Sequence, residues 1–385
     1  MIRKYYTGSI LFTLICLALG AWVGWEYSDG NILGTLSILW IVFVLGILEI
    51  SLSFDNAVVN ATVLKDMDEK WRRRFLTWGI LIAVFGMRII FPVAIVAIAA
   101  HLGPIEAVRL AATQPDQYEH YIEGAHIGIS GFGGAFLAMV GLKFFFDSDK
   151  DVHWIAVVEK NLSRLSSIPA IEIGVLLAAL WAISSALPPV QIVDGETVYP
   201  ANTFLIAGIA GLLTFIAVEA VGELLGGEED LVTGTVVRSG AASFLYLEVL
   251  DASFSFDGVI GAFALSNNIF IIALGLGIGA MFVRSMTIML VDKGTLAEYR
   301  FLEHGAFWAI IALAVIMLLS AIPSVHIPET ITGLIGAILI GLSVWWSIRH
   351  RRKHGDDDED DDPVLPTGSH GPATEERLSP GAKPI

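Results

Sequence analysis

Two stretches of this chain place acids and serines at the same spacing inside apolar sequence. The first reads Glu49-Ile-Ser51-Leu-Ser53-Phe-Asp55-Asn56 and the second Asp251-Ala-Ser253-Phe-Ser255-Phe-Asp257-Gly258. Each is an acid, two alternate serines, a phenylalanine and an aspartate six residues on. An ionisable group at the centre of a bilayer costs about 2.5–3.5 kcal/mol on the insertion scale. Glu49, Asp55, Arg88, Glu248, Asp251, Asp257 and Arg284 all fall inside apolar runs, so they are expected to face the interior of a bundle. The four repeated acids against the two arginines leave two surplus negative charges, and Glu248 makes three. A divalent cation neutralises most of that surplus. Clustered oxygens are hard ligands, suited to Mn²⁺, Mg²⁺ or Ca²⁺ rather than to a soft ion.

Helical geometry qualifies the idea. At 100° per residue, Glu49, Ser53 and Asn56 share one stripe, and Ser51 and Asp55 share another about 120° round. Six residues also separate Glu49 and Asp55 by about 9 Å along a straight helix. One cation does not easily bind both carboxylates on a regular helix. Either the helix breaks near the Ser-x-Ser run, or each acid pairs with the other copy of the motif. The second arrangement suits Glu49 and Asp251. A competing reading has the acids pairing only with Arg88 and Arg284 to hold helices together. His126 and His304 open later spans beside Glu123 and Glu303. They are candidate accessory ligands or proton-relay groups, or interfacial histidines with a backbone partner. Glu219 and Glu223 read as solvated interfacial charges, with a vestibule role as the alternative.

The elements that must position these residues follow from composition. Of 385 residues, 55% are apolar and only 16% charged, against roughly 25% charged in a soluble domain. This excludes an ordinary soluble protein and predicts an all-α polytopic membrane helix bundle. About 20 apolar residues cross a bilayer. Ten spans are expected, at 7–25, 33–63, 76–100, 126–146, 167–187, 202–222, 238–264, 267–291, 303–322 and 329–348. The first is too long for a signal-peptide core and lacks an Ala-x-Ala site, so it is expected to be retained. Residues 104–125, with Pro104 and Pro115 as breakers, are expected to form an external loop. Residues 151–165 suit an interfacial amphipathic helix.

Loop charge orients the spans. Lys65, Lys70, Arg72–Arg74, Lys150, Lys160, Arg164, Arg238, Lys293, Arg300 and the basic run from Arg349 fall on one set of connections. The other set holds only Arg109. The positive-inside rule then puts both termini in the cytoplasm, with a bacterial-type plasma membrane as the expected location. Trp22, Trp25, Trp71, Trp345 and Trp346 lie near span ends, as interfacial anchors should.

The net charge is −16. Residues 355–385 hold nine acids and two bases, leaving −9 elsewhere. That tail cannot build a core and is expected to be disordered. It is expected to be inert, with a role in concentrating cations at the inner entrance as the alternative. The single cysteine, Cys16, excludes disulfide frameworks and CxxC chemistry. No soluble basic domain supports nucleic-acid binding. Neither HExxH nor GxSxG occurs, so no enzyme is expected.

The resemblance between the two stretches continues. Gly79 precedes Arg88 by nine residues, as Gly275 precedes Arg284, and Gly134-Ala135-Phe136 matches Gly305-Ala306-Phe307. Spans 2–4 thus recur as 7–9, with inverted orientation, an arrangement in which transporters place their site between repeats. The expected organisation is a membrane helix at 1–30, a first repeat region at 31–150, and an amphipathic linker and helix at 151–200. A second repeat region follows at 201–325, then a last helix with its basic flank at 326–354 and the acidic tail at 355–385.

These residues resemble the TerC family of integral membrane proteins, and in particular its domain-of-unknown-function branch. The features that carry the resemblance are Glu49-x-Ser-x-Ser-Phe-Asp55-Asn56, Arg88, the Gly131-Phe-Gly-Gly-Ala-Phe run and the acids around Asp251 and Asp257. It covers roughly residues 35–325. The resemblance implies membership of the LysE-type exporter group, with inverted three-helix repeats. It also implies divalent metal handling, most often Mn²⁺ export or delivery, and an association with tellurite resistance. By position, Glu49, Asp55, Asn56, Asp251 and Asp257 become the expected metal ligands. Ser51, Ser53, Ser253, Ser255, Arg88, Arg284 and Glu248 are supporting residues. The chain departs from the pattern with Gly258 where the first repeat has Asn56, with a long external loop and with the acidic tail.

The expected function is divalent-cation transport, most readily Mn²⁺ export, by alternating access with proton exchange. The cation is the substrate, no tightly bound cofactor is implied, and the partners are the lipid bilayer, divalent cations and protons. The alternative is a membrane factor for metal delivery or stress resistance without transport of its own. Transport of an organic solute is a third reading, one that calls for a roomier aromatic-lined cavity.

Overall fold

The computed structural model describes residues 2–65, 67–79, 82–147, 150, 152–193, 196–224, 240–263, 265–325 and 327–354. The protein is an all-α bundle. Its principal helices are α1 (Thr7–Tyr27), α2 (Ile32–Leu52), α3 (Phe54–Lys65), α4 (Phe91–Ala99), α5 (Pro115–Phe145) and α6 (Ala156–Leu165). They continue as α7 (Ile171–Ala186), α8 (Pro200–Leu224), α9 (Gly240–Phe263), α10 (Ile269–Asp292), α11 (Leu302–Ser320) and α12 (Glu329–His354). A hairpin of β1 (Gln191–Val193) and β2 (Glu196–Val198) joins α7 to α8.

Among the described residues, seven helices are long and apolar enough to cross a membrane, so this is an integral membrane protein. Gly86–Ile98 and Ile171–Ala186 are shorter apolar helices. Helix α9 is long enough but carries Glu248, Asp251 and Asp257 in its middle. The acids that dilute its apolar character are the ones set apart by the sequence.

Two expectations need correction. Residues 104–125 are not an irregular loop: Pro104–Thr113 is a helix, and α5 begins at Pro115. Both prolines occupy the first helical position, where the missing N–H is unpaired anyway and φ is already helical. The second expected span, 33–63, is two helices. Helix α2 ends at Leu52 and α3 starts at Phe54, with Ser53 between them at φ −102°, ψ 19°.

The third expected span departs from α geometry. Phe75–Gly79 and Ile82–Ile90 are π-helical and lead into α4. A π turn shifts the carbonyl ladder by one residue and often marks a functional site.

Packing between the repeats is reciprocal. Helices α2 and α3 pack on α10, and α9 packs on Ile82–Ile90; α9 also packs on α5, as α11 does on α3. Helices α5 and α11, the third members of each unit, pack on one another. A twofold relation between the units requires this pattern. Small residues permit it: a Cβ on Gly275 would stand 2.4 Å from Cβ of Leu45.

The amphipathic stretch forms α6, and its anchor is polar. Glu159 is buried and accepts from the backbone N–H of Trp154 at 2.9 Å and from Nε1 of Trp308 at 2.9 Å. His304 Nδ1 lies 2.9 Å from its other side. Trp22, Trp25, Trp345 and Trp346 are exposed to the surroundings of the bundle, whereas Trp71 packs against Gly240. The acidic tail, 355–385, lies outside the described residues.

Candidate functional site: two carboxylate-lined cavities between the repeats

The break at Ser53 leaves the buried stripe of the first motif continuous. The stripe Glu49–Ser53–Asn56 extends one more turn to Asn60, and all four are buried. Ser53 Oγ donates to Oε1 of Glu49 at 2.9 Å. Arg88 Nη2 pairs with the same oxygen. In the first turn of α3, Asp55 Oδ1 accepts from the backbone N–H of Asn56 at 3.0 Å. A carboxylate at a helix N-terminus satisfies donors that have no intrahelical partner.

The second repeat meets this stripe through Asp251. Its Oδ1 accepts from Asn60 Nδ2 at 2.9 Å. Asn60 was not among the expected site residues. Its signal was present, as the next polar position on the stripe that already held Glu49, Ser53 and Asn56.

Two small cavities adjoin here. One, of about 50 Å³, is lined by Asn60, Arg88, Asp251, Ser255 and Arg284 among others. The other, of about 40 Å³, is lined by Glu49, Asp55, Phe254, Gly258, Thr332 and Gly333 among others. Ser53 and Asn56 line both. Each is large enough for a water or a small ion and little more.

The serines sort by position within the repeat. Ser51 Oγ bonds the carbonyl of Ile47 at 2.9 Å, and Ser253 Oγ that of Val249 at 3.0 Å. Both are thus spent on their own helices. Ser53 and Ser255, the second serine of each motif, line a cavity. The same residue pattern therefore has the same division of labour in both copies.

Glycines set the approach of the acids. A Cβ on Gly258 would stand 2.9 Å from Oε2 of Glu49, and one on Gly279 2.3 Å from its side-chain carbons. A Cβ on Gly336 would stand 3.1 Å from Oδ2 of Asp55. Gly258, the departure from the first motif, is the residue that leaves room for Glu49. Gly333, Thr332 and Gly336 belong to α12, outside the repeats, and sequence periodicity alone did not connect that helix to the site.

The arginines differ. Arg88 pairs with Glu49, but Arg284 donates Nε and Nη2 to the carbonyl of Leu76, at 3.1 and 2.6 Å. Glu248 is buried and lines neither cavity. The side chain of Asp257 lies outside the described residues. His304 is held by Glu159, and His126 Nε2 lies 3.3 Å from Ser130 Oγ. Neither histidine lines a carboxylate cavity. Among the described residues, no three His, Cys, Asp or Glu side chains converge into a metal-binding group. The acids are spread over two neighbouring cavities, with Arg88 and Asn60 occupying one oxygen each.

A wider cavity of about 750 Å³ lies at one end of the bundle, bordered by Thr62 of α3 and Ser243 of α9. Its charged lining is partly paired, Lys143 with Glu219 and, at its edge, Lys65 with Glu303. Glu223 has its side chain outside the described residues. Lys150 also lines this cavity, with its ammonium over the face of Phe144. Burial lowers that ammonium to about 7, although Glu303, Asp147 and Glu159 pull it upward.

Over residues 54–354 the chain matches the family described as a protein of unknown function, DUF475, and it belongs to that family. No curated protein and no solved structure matches it.

Proposed function

We propose that this member of the DUF475 family is a divalent-cation transporter that works by alternating access, with Mn²⁺ as the favoured substrate and export as the favoured direction. The observation that carries the proposal is the sharing of Ser53 and Asn56 by two cavities. One is lined by Asp251 and the other by Glu49 and Asp55, all on helices inside the bundle. Buried acids within membrane helices mark ion pathways, and a site between repeats suits a rocking mechanism. The resemblance to the TerC family and the LysE-type exporters favours Mn²⁺, as do the carboxylate, amide and hydroxyl oxygens among the lining groups.

In this reading Arg88 is the internal competitor for Glu49, and Asn60 for Asp251. Entry of the cation displaces both and draws the two cavities into one ligand shell. Glu49, Asp55, Asn56, Asp251 and Asp257 hold the ion, with Ser53 and Ser255 as hydroxyl donors of electron density. The wide cavity beside Lys150 and Glu219 serves as the inner vestibule. The loop-charge asymmetry supports an orientation with both termini in the cytoplasm.

The test is Mn²⁺ flux in proteoliposomes made from purified protein. Asp55→Asn and Asp251→Asn should each abolish flux while the protein remains folded and monodisperse. Absence of Mn²⁺ movement by the unaltered protein would overturn the proposal. That result would favour a membrane factor that delivers metal to exported proteins, or one that confers stress resistance, tellurite included.

A further inference from the structure

Glu248 lies outside the repeated motif. It stands three residues before Asp251, where the first repeat has Gly46 three residues before Glu49. At that place in the first repeat, the Gly46 and Gly275 backbones come together: a Cβ on Gly46 would stand 3.5 Å from the carbonyl oxygen of Gly275. In the second repeat the contact is between Gly79, the counterpart of Gly275, and the Glu248 side chain. A Cβ on Gly79 would stand 2.9 Å from Oε1 of Glu248. An acid therefore fills the position where twofold symmetry would have placed a glycine.

Glu248 is 7% exposed. Neither of its oxygens has a hydrogen-bond partner among the described residues. Among the described residues, the following cations on elements packed around α9 have other partners, Arg73 with Glu69 and Arg74 over the Trp71 ring included. Arg284 of α10 donates to the Leu76 carbonyl. Arg72 donates to the carbonyls of Leu64, Lys65 and Met67. Arg88 pairs with Glu49, Lys65 of α3 with Glu303, Lys143 of α5 with Glu219, and Arg351 of α12 with Glu298. Three residues further along α9 stands Asp251, of like sign. An ionised carboxylate so placed is strongly disfavoured, and a neutral carboxylic acid is not.

We propose that Glu248 is a proton-binding site, neutral in the state seen here, whose proton is exchanged as the neighbouring cation site turns over. The coupling half of this proposal rests on the transport reading above; the neutral carboxyl does not. Gly79 lines the cavity that holds Asp251 and Arg284, so the same glycine borders both Glu248 and the path of the cation. When that wall moves, Glu248 releases one proton to water and becomes a carboxylate. Arg284, which among the described residues is bound until then by a carbonyl one turn before Gly79, is the cation placed to receive it. Return of a proton from the other side resets the acid. The charge brought by the cation is thereby partly exchanged for protons moving the opposite way.

The test uses the full chain, purified and reconstituted. The infrared spectrum of the unaltered protein minus that of Glu248→Gln should show a carboxylic-acid carbonyl band at neutral pH. Loss of carboxylate bands alone would overturn the proposal. In vesicles carrying a pH-sensitive dye, Mn²⁺ movement should be accompanied by opposed proton movement. Glu248→Gln should lose the proton movement, and Glu248→Asp should regain part of it. Proton movement by Glu248→Gln at the unaltered ratio would also overturn the proposal. If the unaltered protein moves no Mn²⁺, the transport reading fails, and with it the coupling, while the infrared band still decides whether Glu248 binds a proton.

Discussion

Oε2 of Glu49 faces Gly258 across the boundary between the two repeats, with 2.9 Å from that oxygen to where a Cβ on residue 258 would stand. The carboxylate occupies the volume that any side chain there would need. Its other oxygen is taken by Ser53 and Arg88, so it has little freedom to retreat.

Gly258→Ala should therefore displace Glu49 and cost about 1–3 kcal/mol, as overpacking of a tight interior does. Mn²⁺ flux should fall with it. Gly341→Ala is the matched comparison, because nothing lies within 4 Å of its Cβ position. Equal flux and equal thermal stability for the two variants would show that Gly258 does not shape the site.

Arg88 and Glu49 form a buried ion pair. Removing one partner of such a pair leaves an uncompensated charge and costs about 3–5 kcal/mol, whereas removing both costs far less. Arg88→Met should be markedly less stable in detergent unfolding than Arg88→Met/Glu49→Gln. Additive losses in the double variant would mean that the pair is not coupled.

Glu159 should make the seating of α6 sensitive to acid. Burial pushes its carboxyl up, but His304, the Trp308 indole and the Ile155 amide outweigh burial and hold it down at about 2, from 4.5. A depressed carboxyl stabilises the fold above its unfolded value and loses that contribution as pH falls towards its folded one. Stabilisation of up to about 3 kcal/mol should disappear between pH 4.5 and about 2. Hydrogen exchange in α6 should rise over that interval, and Glu159→Gln should remove most of the dependence.

Lys150 should act at the other end of the pH scale. Its ammonium is lowered from 10.5 to about 7 by burial. Between those values the unfolded chain holds more protons than the folded one, so stability should rise with pH across that interval. Lys150→Met should raise the Tm near pH 7 and flatten the slope. The gain should be about 1–3 kcal/mol, reduced from the full shift because the side chain is only partly buried. An unchanged slope in the variant would assign the effect to another group.

Much of the architecture was legible in the sequence. Apolar run lengths located the seven helices of membrane-crossing length among the described residues, against the ten spans expected, because the bilayer fixes the length of any element that crosses it. The repeated acid-Ser-Ser-Asp spacing singled out Glu49, Asp55 and Asp251, which line the two cavities, because charges inside spans must face protein rather than lipid. The stripe of Glu49, Ser53 and Asn56 followed from helical period alone. Pro104 and Pro115 misled, since a proline ends a helix from inside but starts one from its first position, and only the surrounding fold says which.

The tertiary structure decided what the period could not. The local spacing of the first motif admitted either a broken helix or partners across the repeats. The structure takes the first: the helix breaks at Ser53, and Glu49 is paired with Arg88 and Asp251 with Asn60 rather than with one another. It also separated two arginines that the repeat makes equivalent, sending Arg88 to a carboxylate and Arg284 to a carbonyl. It brought Gly336 of α12 to Asp55 and, among the described residues, left Glu248 without a donor. Sequence fixes which groups must be buried, because desolvation acts on each residue by type. Which buried group meets which depends on helices distant in the chain, and short-range periodicity carries no record of those contacts.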